Sequence, residues 1–190
     1  MKLYSIKSDY SELSENNDIK GDFADILWNG FIIHSRKKDH TAVERFGADV
    51  PPIYTDGRQI ILTDEVKKQL EQTDLQGFEF KEVEKRKIIK GDWKNFSFDF
   101  FKKFDDPTFD PIEKGKHSEE ALQKMPKLWR IKPLHAIEFK KVDKDRFIFS
   151  TSKYADFYEA TGDRLGIFIS EKTKQIFENL ALPLVFDEEL

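Results

Sequence analysis

Cysteine is missing from all 190 residues. Its absence excludes a disulfide framework, a thiolate zinc site and a cysteine nucleophile, and nothing in the chain requires an oxidising compartment. Long apolar runs are missing too. The opening MKLYSIKSDYSEL has no apolar stretch of signal-peptide length, and no later segment approaches a membrane span. A soluble cytoplasmic protein with no membrane partner is therefore expected. The phosphate-binding GxxxxGK(S/T) and GxGxxG loops, the GxSxG elbow, the HExxH zinc helix and the calcium-loop pattern are absent as well. That removes chemistry carried by contiguous motifs and leaves open sites assembled from distant residues. Neither sign of charge dominates: 32 Lys and Arg stand against 36 Asp and Glu, giving a net charge of −4. Such a balance provides no overall drive towards nucleic acid or anionic lipid and a mild preference for a basic partner.

What the chain has in quantity is phenylalanine, 18 residues of it, against a background that is 36% charged. The core is accordingly expected to be aromatic. The length suits one domain, or two small lobes sharing a core, and residues 1–190 are read as a single α+β domain.

The most informative feature is a repeat. Residues 59–80 read QIILTDEVKKQLEQTDLQGFEF, and residues 166–186 read GIFISEKTKQIFENLALPLVF. In each, a short β-type apolar run meets a hydroxyl residue, an acid and a Lys-bearing helical pattern, then a second apolar stretch. Ile167, Phe168 and Ile169 align with Ile60, Ile61 and Leu62, and Ser170 takes the place of Thr63. Glu171 follows as Asp64 does, Lys174 matches Lys67, Phe177 matches Leu70, Glu178 matches Glu71 and Leu182 matches Leu75. Thr63 and Ser170 are expected to cap helices by accepting a first-turn N–H, with the acids complementing the positive helix end. Each copy thus predicts a strand, a capped helix and a second strand.

KLYSI at the N-terminus predicts an opening strand, and FADILWNGFIIHS a short helix running into a strand at Phe31 to Ile33. RKKDHTAVERFGADVPPIYTDGRQ is polar and turn-rich and reads as loop, with at most a turn of helix near Val43. FEFKEVEKRKII alternates like one half-exposed strand. SEEALQKM predicts a short helix capped by Ser118, while KLWRI, HAIEFKKV and RFIFST read as strands, the last two joined by a turn at Asp143 to Asp145. SKYADFYEATG fits an amphipathic helix ending at Gly162, with Tyr154, Phe157 and Tyr158 on one side. The architecture these elements predict is α+β: a mainly antiparallel sheet with several short helices and two related strand-helix-strand units.

Residues of types that carry chemistry are scattered. His34, His40, His117 and His135 lack metal-ligand spacing, and Asp105, Asp106 and Asp110 sit among prolines, where a turn is the simpler account. The segment from Lys85 to Lys94 is locally basic and leads into Trp93 and several phenylalanines, a stacking pattern for single-stranded nucleic acid, but Glu82, Glu84 and Asp92 dilute its charge. No catalytic, cofactor or metal residue is assigned.

The segments IILTDEVKKQLEQTDLQGFEFKEV and YADFYEATGDRLGIFISEKTKQIFENL, with PKLWRI between them, resemble the MXAN-type immunity-protein family of bacterial polymorphic toxin systems. The resemblance covers most of the chain loosely and these segments best, and its motifs are scaffold patterns. It implies a cytoplasmic, non-catalytic protein, without a cofactor, that binds and neutralises a cognate toxin. It carries no residue-level binding site. From the residues themselves, the candidates for partner contact are the aromatics Trp93 and Trp129 and the acids Asp187, Glu188 and Glu189, the last three suiting a toxin with a basic surface. The alternative reading is an enzyme or small-molecule-binding protein with a pocket between lobes.

Overall fold

The computed structural model describes residues 1–9, 31–37, 40–91, 112, 115–143 and 146–188. The chain divides into two compact units. Unit 1 comprises Met1–Asp9, Pro52–Lys81 and Trp129–Leu190, and unit 2 comprises Tyr10–Pro51 and Glu82–Leu128. In chain order the elements are β1 (Leu3–Ser8), β2 (Phe31–Lys37), β3 (His40–Phe46), β4 (Ile53–Thr55), β5 (Ile60–Thr63), α1 (Asp64–Leu70), β6 (Phe78–Glu82) and β7 (Glu84–Ile89). They continue as α2 (Glu119–Lys124), β8 (Leu128–Pro133), β9 (His135–Asp143), β10 (Arg146–Ser150), β11 (Phe157–Gly162), β12 (Gly166–Ser170), α3 (Glu171–Asn179) and β13 (Leu184–Glu188). The chain is mainly sheet with a few short helices, as expected of an α+β protein.

Unit 1 holds a six-stranded sheet in the order β10-β9-β11-β12-β1-β13 and a four-stranded sheet in the order β4-β5-β8-β6. Both 59–80 and 166–186 fold as strand, helix and strand. In each, the two strands are not neighbours. β1 lies between β12 and β13 and is antiparallel to both, with Tyr4 opposite Ile169 on one side and Glu188 on the other. β8 holds the same place between β5 and β6. The Leu134 N–H donates to the Gly77 carbonyl at one end of the β8–β6 pair (2.9 Å), and the Val83 N–H to that of Leu128 at the other (3.0 Å), so these two strands are also antiparallel. The inserted strands correspond in sequence as well: Lys2-Leu3-Tyr4-Ser5-Ile6 matches Lys127-Leu128-Trp129-Arg130-Ile131.

Period-two alternation explains why these strands read as continuous apolar runs. Tyr4, Ile6, Phe157, Ile167 and Ile169 join one core cluster, whereas Leu3, Tyr158, Ala160 and Phe168 join another. Successive side chains point to opposite faces, and each face has its own core. The first cluster also takes Ile60, Leu62, Val66, Leu70 and Phe177, so both repeat helices pack into it.

Several expectations are corrected. Residues 157–162 form strand β11, not the end of a helix. Phe157 and Tyr158 are both fully buried but in different clusters, which strand geometry permits and a one-sided amphipathic helix does not. The sheets are mixed: β11 runs parallel to β9, and β3 parallel to β7. The segment read as loop contains β3 and β4. Thr63 occupies the N-cap position but makes no side-chain cap bond, whereas the Ser170 hydroxyl accepts from the Thr173 N–H at 3.2 Å. FEFKEVEKRKII is two strands, with β6 in the four-stranded sheet and β7 in unit 2. The expected helix before Phe31 and the phenylalanine-rich stretch around Phe96 to Phe104 fall outside the described residues.

Unit 2 is built on the sheet β2-β3-β7, in which β2 and β3 pair antiparallel. Central β3 buries Arg45 completely. Its Nε and Nη2 both donate to the Asp49 carbonyl, at 3.2 and 2.6 Å, which helps satisfy a charge that no local pattern places inside. Beside β7, the Ile88 N–H donates to His117 Nδ1 (3.1 Å), and Ser118 caps α2 by accepting from the Ala121 N–H (3.3 Å).

A buried carboxylate ties the parts of unit 1 together. Asp156, with no exposed surface, accepts the Gln76 N–H through Oδ2 (2.8 Å) and the Ser170 hydroxyl through Oδ1 (2.8 Å). Its carbonyl accepts the Thr173 hydroxyl at 3.0 Å and the Ser170 N–H at 3.1 Å. Gly77 permits this approach: its φ is +85°, and a Cβ there would lie 2.5 Å from that of Ala155. Replacing Asp156 with Asn should cost about 1–3 kcal/mol, since one acceptor becomes a donor, and Asp156→Ala about 2–5 kcal/mol, since the buried Ser170 hydroxyl and the partly buried Gln76 N–H both lose their acceptor. Urea unfolding measures both. A loss below about 0.5 kcal/mol for the alanine variant, the range of an ordinary surface substitution, would remove Asp156 from this role.

Candidate partner-binding surface

The two helices of unit 1 are fastened by the same set of contacts. In the first copy Asp64, at the start of α1, accepts the indole N–H of Trp129 at 2.9 Å. One turn on, the Lys67 ammonium lies 4.6 Å from the Trp129 ring centre and 5.2 Å from that of Phe80, and it pairs with Glu71 at 2.5 Å. In the second copy Glu171 accepts the hydroxyl of Tyr4. Lys174 lies 5.4 Å from the Tyr4 ring and 5.7 Å from Phe186, and pairs with Glu178 at 2.6 Å. Every member corresponds: Asp64 with Glu171, Lys67 with Lys174, Glu71 with Glu178, Phe80 with Phe186, and Trp129 with Tyr4.

The spacing explains the geometry. An acid at the first helical position lies beside the positive helix end, a lysine three residues later shares its face, and an acid four residues beyond that completes the pair. The inserted strand supplies an aromatic ring that carries a polar hydrogen for the acid and a π-face for the lysine. Lys67 is left with 15% of its side chain exposed and Lys174 with 22%, so their alkyl stems cover the rings beneath. Lys172 adds a link between the copies by pairing with Asp74 at 2.8 Å.

Charge is tuned accordingly. Asp64 is held below the ordinary carboxylate range by its bonds to Lys68 and Trp129. The Tyr4 hydroxyl is pushed up to about 12, first by its bond to Glu171, then by burial and the nearby charges of Glu171, Glu188 and Glu178. Glu171 is lowered by the same bond.

Of the residues singled out from the sequence, Trp129 proves to be half-buried and built into the first of these arrangements. Asp187 and Glu188 lie on β13, an edge of the six-stranded sheet. Adjacent strand residues face opposite ways, and each acid has its own cation: Asp187 pairs with Lys7 at 2.6 Å, and Glu188 with Lys2 at 2.9 Å. They therefore belong to two surfaces, not to one acidic patch. Trp93, Glu189, Asp105, Asp106 and Asp110 fall outside the described residues, as does the His34 side chain. Tyr4, Lys67 and Lys174 were missed as a set. The signal was present in the matching KLYSI and KLWRI, but these strands are far from the helices they complete in sequence.

In unit 2, a cavity of about 520 Å³ is lined by His40, Glu84 and Lys85 among others. His40 Nε2 lies 2.9 Å from Glu84, and burial lowers the Lys85 ammonium, whose Nζ donates to the Met125 carbonyl. Among the described residues no group of three His, Asp or Glu side chains is placed to hold a metal ion, and no helix is long and apolar enough to cross a membrane. No family model and no curated protein matches the chain.

The Tyr4–Glu171 bond carries a pH signature. A tyrosine whose folded pKa is raised adds stability that is complete below the ordinary value of 10.0 and is lost as pH rises through about 12. A lowered Glu171 adds stability present above the ordinary carboxylate range and lost as pH falls through its folded value. The stability advantage of the wild type over Tyr4→Phe should therefore be flat near neutrality and fall away at both extremes. Urea unfolding of the pair across pH tests this, and an advantage that stays constant into the alkaline range would show that the bond does not form.

Proposed function

We propose that the protein is a non-catalytic immunity protein that binds a cognate bacterial toxin in the producer's cytoplasm and neutralises it. The observation that carries this reading is the matched pair of fastened helices. The segments on which the family resemblance rests are the two that form the acid–aromatic–lysine arrangements. A blocker gains from such construction, because side chains already held in place lose less entropy when a partner arrives.

Trp129 is the proposed anchor. It is half-buried, and its ring and N–H are both oriented by neighbours, the condition in which an aromatic contributes most to an interface. Trp93 is a second aromatic candidate. Asp187, Glu188 and Glu189 would act through charge, speeding encounter with a basic toxin surface more than deepening the final complex.

Co-expression with the toxin encoded beside it tests the proposal directly. The expected result is restored growth and a complex that co-purifies. Trp129→Ala, with folding verified by thermal melting, should weaken toxin binding at least about 30-fold, corresponding to a hot-spot loss of about 2 kcal/mol. The combined change of Asp187→Asn, Glu188→Gln and Glu189→Gln should slow association and flatten its dependence on salt. A neighbouring toxin that is neither bound nor countered would overturn the reading.

A further inference from the structure

We propose that unit 1 contains a binding site for a small oxyanion, a phosphate or carboxylate group, at the tips of its two corresponding β-hairpins. The site shares only Asp187 with the proposed toxin contact and does not depend on that reading. The hairpin joining β4 to β5 reads Thr55-Asp56-Gly57-Arg58, and the one joining β11 to β12 reads Thr161-Gly162-Asp163-Arg164. Both turns carry an arginine at their fourth position. Although they are more than a hundred residues apart in sequence, both arginines line a single cavity of about 420 Å³. That volume lies within the range of small-molecule sites.

The tips are fastened together. The Ile167 N–H donates to the Gly57 carbonyl at 2.8 Å. Gly166, at φ +129°, lies so near that a Cβ there would be 2.7 Å from the same oxygen. Neither arginine therefore depends on a wandering loop for its position. The Arg164 guanidinium is held further by three rings, with its centre 5.0 Å from Phe147, 5.6 Å from Phe168 and 5.9 Å from Phe139. Attraction to ring faces does not by itself use up the N–H donors of a guanidinium, so it is compatible with bonding to an oxyanion.

The charge around the cavity favours an anion. Lys7 lines it beside the arginines, making three cations against the carboxylates of Asp56 and Asp187. Both acids are already engaged. Asp56 Oδ1 accepts the N–H groups of Arg58 (2.9 Å) and Gln59 (2.7 Å), which shapes the turn, and Asp187 is paired with Lys7. Two arginines from independent turns line this one cavity, and the guanidinium group matches the planar oxygens of carboxylate and phosphate in a way that a lysine ammonium does not. In this arrangement Asp187 is a competitor, since its carboxylate occupies the lysine that an incoming anion would otherwise share.

That competition supplies a test with opposite signs. Isothermal titration of the full chain in chloride buffer would use inorganic phosphate in one series and citrate in another, to separate the two oxyanion classes. Saturable binding of at least one is expected. Arg58→Gln should weaken it about tenfold, the loss of one charge-assisted contact, and Asp187→Asn should strengthen it severalfold. Arg164→Lys keeps the positive charge but loses the planar fork and should also weaken binding, with circular dichroism confirming the fold. Absence of saturable binding of either anion would overturn the proposal. So would binding indifferent to Arg58→Gln, or weakened by Asp187→Asn. Toxin neutralisation is read separately by growth, so either idea can fail while the other stands.

Discussion

A carboxylate with no solvent-exposed surface organises unit 1. Asp156 holds the Gln76 N–H on one oxygen and the Ser170 hydroxyl on the other, while its own carbonyl receives Thr173. Through these bonds the end of the first copy, the entry to β11 and the cap of α3 share one set of polar contacts. An acid in that position is tolerable because each of its oxygens meets a donor, the Gln76 N–H on one and the Ser170 hydroxyl on the other. Gly77 is the backbone counterpart, since any side chain there would collide with Ala155 and separate the two segments.

Around this point each copy takes in a strand from outside itself. Each strand-helix-strand unit has a gap between its strands, and each gap is filled by a strand from elsewhere in the chain: β1 in the second copy and β8 in the first. Backbone hydrogen bonding makes the gap untenable if left open, because both flanking strands would present unpaired groups. The inserted strand also delivers Tyr4 or Trp129 beneath the helix lysine. One strand thus closes the sheet and fastens the helix, which ties the local order of each unit to contacts distant in sequence.

Much of this was legible beforehand. The 59–80 and 166–186 segments were read as strand, helix and strand because the hydroxyl-acid boundary and the change of apolar period are local signals. KLYSI, HAIEFKKV and RFIFST were read as strands for the same reason. β11 was misread because Phe157 and Tyr158 are each apolar yet serve opposite faces, and a strand buried on both sides has no polar alternation to reveal it. β3 was misread because its charged residues, Arg45 among them, find partners that no single-sequence pattern displays. Trp129 was singled out as a candidate contact, while its partner Asp64 was read only as an acid complementing the helix end and Lys67 only as part of the repeated helical pattern.

By itself the sequence determined that 59–80 and 166–186 each become strand, helix and strand, where their helices begin, and that the two copies would be built alike. Those are properties of neighbouring residues, decided by backbone preference, capping and side-chain period. Only the tertiary structure decided which strand fills which gap, that Tyr4 corresponds to Trp129, that Asp187 and Glu188 face different surfaces, and that Arg58 and Arg164 meet at one cavity. Each of these depends on residues brought together across long stretches of chain, where the deciding energies are cross-strand hydrogen bonding and the filling of a shared core.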